Sequence, residues 1–173
     1  MLPFSARHLI VLAAPAALLA ACSGGGAADP AAEGTTAATA AGEAPPVIKE
    51  REENFEAIGK TFKAVRGQLE GEAPDFAVIA ANAQDINARA MKIADHFPAG
   101  TSTADGFKTE ALPAIWEKPE EFKAAAQKLV DESAKLASIA AGGDKAAVGA
   151  QAMVMGGTCK GCHDKFRLDD EKK

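Results

Sequence analysis

The tightest constraint on this chain is a helix that must carry Cys159-Lys160-Gly161-Cys162-His163. Around it Val148, Ala152, Met155, Cys159, Cys162 and Phe166 recur at steps of four and three, the period of one helix face. Both thiols therefore lie a turn apart on the apolar stripe, and His163 directly follows. A redox disulfide would need only the two thiols. A Cys2His2 zinc site would need His96 as well, and the usual ligand spacing is missing. Covalent haem attachment needs two thiols to add across two vinyl groups and a histidine to bind iron from the same side. The adjacent His163 points to that third chemistry, one haem c attached inside whatever packs on this stripe.

The remaining cysteine belongs to the N-terminus. Arg7 and His8 precede an apolar run from Leu9 to Ala21. As a helix this run reaches about 20 Å, short of the roughly 30 Å hydrocarbon core of a bilayer. It reads as an export signal rather than a spanning helix. Its end, Leu19-Ala20-Ala21-Cys22, resembles a bacterial lipobox, so residues 1–21 are expected to be removed and Cys22 to be acylated. With Cys22 on lipid and Cys159 and Cys162 on haem, no thiol is left for a structural disulfide. Residues 22–46 are nearly all Ala, Gly, Thr, Ser, Pro and a few acids. They bury too little apolar surface to offset their ordering entropy and form a tether, with an r.m.s. span of roughly 25–30 Å. The expected location is the periplasmic side of a bacterial membrane, held by lipid alone.

Residues 47–173 read as helices. Arg51, Phe55, Ile58, Phe62, Val65 and Leu69 define the first face. Phe76, Ile79, Ala83, Ile86, Ala90, Ile93 and Phe97 define the second, started by Pro74-Asp75 and stopped by Pro98 and Gly100. The third begins near Pro119 with Phe122, Ala126, Leu129, Leu136 and Ile139, and Gly142-Gly143 ends it. Asp144 can cap the fourth, which carries the cysteines. Four helices with one apolar stripe each predict an all-α, antiparallel four-helix bundle. The connection from Pro98 to Lys118 is longer than usual and is expected to pack over one end. The 19 Lys and Arg are scattered among 24 Asp and Glu, so no basic patch invites nucleic acid.

In four places the chain resembles the cytochromes c-prime, the class II c-type cytochromes: Val47-Ile48-Lys49-Glu50-Arg51, Phe97-Pro98-Ala99-Gly100-Thr101, the run from Ala114 to Phe122, and the run from Gly156 to Arg167. The resemblance implies His163 as the axial iron ligand, Arg167 beside the proximal face, and Arg51 near the haem propionates, with Phe97 in the pocket. Glu52 stands where relatives often have Gln near a propionate, a departure that leaves its role open. Relatives with Met one turn after the first-helix arginine bind iron on both sides and are low-spin electron carriers. Here that position is Phe55, which has no lone pair to offer.

Five-coordinate, high-spin iron with Phe55 over the open side is therefore expected. Such a site takes small neutral ligands such as NO or CO and gives O₂ no hydrogen bond. The alternative is a dedicated low-spin electron-transfer cytochrome docking a redox partner protein. An enzyme is not expected, since Phe55 supplies no acid or base. Members of the family are often homodimers through their first two helices.

Overall fold

A computed structural model of the protein describes residues 43–169. The expected export signal, Cys22 and most of the expected tether lie outside the described residues. Helix α1 spans Pro46–Glu70, with Pro46 at its first position, where the lost N–H costs nothing. Helix α2 spans Phe76–Ala90, capped by Asp75, whose Oδ1 accepts from the N–H of Ala77 at 2.9 Å and of Val78 at 3.1 Å. A single turn, α3, covers Ala114–Glu117. Helix α4 spans Pro119–Ala140, and α5 spans Lys145–Phe166 with Asp144 as its cap. Between α4 and α5, Gly143 turns the chain at φ 72°, a conformation that glycine adopts without strain.

The four long helices form the expected bundle. Ile79 and Ile86 of α2, Leu136 of α4, Val148 of α5 and Val65 of α1 are fully buried at its centre. Among the described residues there is no strand, only an isolated bridge between Ala111 and Arg167. No described helix is long and apolar enough to cross a membrane.

The second helix is shorter than its apolar pattern. It ends at Ala90, and the chain continues through a turn and a 3-10 segment at Ala94–His96. Phe97 is outside any helix, at φ −124° and ψ 60°. Pro98 is the cause, because its ring crowds the residue before it out of the helical region. Ile93 stays buried all the same, since steps of three suit a 3-10 turn as well as a helix.

The long connection closes one end of the bundle. Leu112 N–H donates to the Phe166 carbonyl at 3.0 Å, and Leu168 N–H donates to that of Glu110 at 2.8 Å. At the opposite end Lys145 Nζ donates to the Gly71 carbonyl at 2.6 Å. The start of α5 thus meets the end of α1, and the two helices run antiparallel.

Candidate haem site

Packing is close between α1 and α2, α2 and α4, and α4 and α5, but sparse between α1 and α5. One point of approach is Gly156, where a Cβ would lie 3.5 Å from the Phe62 ring. Seven residues back along α1 and seven forward along α5, about 10 Å of helix axis, the same register brings Phe55 level with His163. The α1–α5 seam therefore has an aromatic wall on one side and the Cys-x-x-Cys-His segment on the other.

Cys159 and Cys162 are half-buried and pack against the core. Burial raises the pKa of Cys159, and burial together with the neighbouring Cys159 pushes Cys162 up to about 11. Both are neutral thiols at neutral pH and line the core as small apolar groups. Cys162 also borders a shallow groove of about 560 Å³ between α4 and α5, beside Gly157 and Gly161. His163 is exposed. Its pKa is lowered, first by the protein atoms around the ring and then by Arg167, against the opposing charges of Asp164 and Glu110. Among the described residues no three His, Cys, Asp or Glu side chains converge as metal ligands.

Arg51 is buried to 3 % exposure on α1. Its guanidinium donates to the Thr101 carbonyl at 3.0 Å, the Thr109 hydroxyl at 2.9 Å and the Thr101 hydroxyl at 3.4 Å. It also lies 4.6 Å over the Phe97 ring. Burial lowers its pKa, and the charge of exposed Glu52 opposes that. The acceptors in this set are all neutral. A buried cation held this way fits an acidic group arriving from outside the protein, as a haem propionate would.

Phe55 and Phe97 meet edge to face with centroids 6.3 Å apart, and Phe97 continues to Phe122 at 4.7 Å. Arg167 begins the extended stretch after α5, its N–H donating to the His163 carbonyl at 3.1 Å and its Nε to Glu110 Oε2 at 2.6 Å. Arg167 therefore stays beside His163, oriented by a carboxylate of the long connection.

The roles of Thr101 and Thr109 were not visible in the sequence. Both lie in the long connection, where no periodicity marks a residue as facing inward. The one signal was indirect, that an arginine on an apolar helix face needs acceptors from somewhere.

The cytochrome C' family model matches residues 46–167. The chain is 39 % identical over 120 residues to cytochrome c' from Pararhodospirillum photometricum, covering 69 % of this chain and 94 % of that protein. A crystallised cytochrome c' with ligand-controlled dimer dissociation superposes at TM-score 0.66 and 30 % identity, over 75 % of this chain and all of the other. The nitric oxide complex of a variant of cytochrome c prime from Alcaligenes xylosoxidans superposes at TM-score 0.63 and 28 % identity, over 71 % of this chain and 94 % of that one. Bundle, motif and relatives agree, and the chain belongs to the cytochrome c' family of four-helix-bundle haem c proteins.

Proposed function

We propose that this protein takes up small neutral ligands such as NO or CO at an open coordination position of its haem, and passes electrons as a secondary role. Cys159 and Cys162 would hold the macrocycle by thioethers, and His163 would bind the iron. Arg51 would pair with a propionate, and Arg167 would stand at the proximal side. When bound, the haem supplies a redox-active iron with affinity for diatomic gases.

The observation that carries the reading is Phe55. It lies one turn after Arg51 on the seam side of α1, and α1 contains neither Met nor His. An apolar ring there offers the iron no ligand and leaves room only for something small. The nitric oxide complex of a relative supports the choice of gas, and another relative's dimer makes self-association the protein contact to test first. Catalysis of the peroxidase kind would need an acid–base group on that side; Phe55 and Phe97 supply none, and Arg51 stays protonated with N–H groups donating to Thr101 and Thr109. Residues 1–21 as an export signal, Cys22 as a lipidated terminus and residues 23–46 as a tether complete the proposal. They would put the haem domain on the periplasmic face of a bacterial membrane.

The test is an optical and EPR spectrum of the haem-loaded protein, ferric and ferrous, before and after NO. High-spin signals that change on NO addition are expected. Low-spin signals indifferent to NO would mean a sixth protein ligand and would return the protein to plain electron transfer.

A further inference from the structure

We infer that Phe97 is a positioning residue for the distal side: it braces the Phe55 ring and so sets how readily a small ligand reaches the position that ring covers. The inference rests on the reading of Phe55 given above.

Phe97 stands outside the helices and is half-buried, yet it has a partner on several sides. Trp116 Nε1 donates to the Phe97 carbonyl at 3.1 Å and to the Pro98 carbonyl at 3.1 Å. Behind the ring is Phe122, itself only 5 % exposed, edge to face at 4.7 Å. The Trp116 ring flanks it at 6.1 Å. Over one face lies the Arg51 guanidinium, which Thr101 and Thr109 hold in turn. The remaining neighbour is Phe55, at 6.3 Å and an interplanar angle of 67°.

Phe55 shares that degree of burial, but among the described residues its one ring contact is Phe97. Phe55 is carried by the side of α1 that faces the sparsely packed seam. Phe97 is the rigid body it leans on. A ligand entering the seam meets a phenyl ring that cannot swing back, because the ring behind it is pinned by an indole N–H, a buried phenylalanine and a clamped guanidinium. With the brace shortened, Phe55 gains rotamers and yields the space.

The experiment measures CO binding to the haem-loaded ferrous protein, with the infrared C–O stretch as a second readout. The variants are Phe97→Leu, Phe55→Ala, the double variant, and Trp116→Phe, which keeps an aromatic ring at 116 and removes its N–H. Phe97→Leu is expected to raise CO affinity about tenfold, 1.4 kcal/mol of binding, and to broaden the C–O band. In the Phe55→Ala background the same change is expected to do nothing further, because the residue it acts through is gone. Trp116→Phe is expected to move both readouts in the same direction by less, and it keeps the test decisive should Phe97→Leu fold poorly. An equal effect of Phe97→Leu with and without Phe55, or none in either, overturns the brace while leaving Phe55 as the distal residue. An unchanged CO affinity in Phe55→Ala overturns the reading of Phe55 itself, and the brace with it.

Discussion

Arg51 and Phe55, one helical turn apart, divide the work of the site between a charge and its opposite, an inert surface. Removing a guanidinium from water is costly unless every N–H finds an acceptor. The Thr101 carbonyl and two threonine hydroxyls take three of its five N–H bonds without cancelling the charge. Phe55 does the reverse, contributing bulk and no polar atom. Replacing it tests the assignment directly. Phe55→Met puts a soft thioether where the ring was, and the ferric protein is expected to turn from high-spin to low-spin, read by EPR; a spectrum that stays high-spin would place residue 55 away from the iron. The pairing of Arg51 with Phe55 could be read from their spacing, because a helix repeats its faces. The threonines could not, because residues 98–118 have no repeating face to read.

At the scale of elements, α1 and α2 are joined across their polar margin as well as by the core. Thr61 Oγ1 of α1 donates to Asp85 Oδ2 of α2 at 3.1 Å, and Arg89 Nε donates to the same oxygen at 2.9 Å. These bonds hold the Asp85 pKa below its ordinary value, the one from Arg89 foremost. A carboxylate depressed in the folded state stabilises it above the unfolded pKa of about 3.9, and that contribution is lost as pH falls through the folded value. Asp85→Asn is therefore expected to lower stability at neutral pH by less than about 1 kcal/mol, since the pair is half exposed and screened by solvent. It should also flatten the fall in stability below about pH 4, measured by urea titration across pH. A variant as acid-sensitive as the parent would remove Asp85 from the account.

Helix starts were legible where a side chain or ring fixes them, at Asp75, Pro119 and Asp144. The end of α2 was not, because Ala90, Ile93 and Phe97 keep an inward spacing that serves a helix and a 3-10 turn equally. The choice between those two geometries was made by Pro98 and by what Phe97 packs on.

For the whole molecule, three seams are closely packed and one is not. Stripes in a sequence tell which faces turn inward, but not how far apart two helices stand, so the bundle could be anticipated and the loose α1–α5 seam could not. If haem fills that seam, its attachment adds contacts to α1 above all. Cys159→Ser with Cys162→Ser is expected to speed amide exchange in the first half of α1 more than in α2 or α4, measured by hydrogen–deuterium exchange against the haem-loaded parent. Uniform loosening would mean that haem packs elsewhere.

The two ends of that seam are tied unequally. At the Arg51 end the ties are buried, with three hydrogen bonds to threonines and a ring stacked beneath the guanidinium. At the other end, among the described residues, an exposed lysine reaches the Gly71 carbonyl. Exposed bonds open first. Hinged like scissors whose pivot is set beside the blades' work, the helices are expected to breathe at the far handles and to leave Phe55 and His163 level.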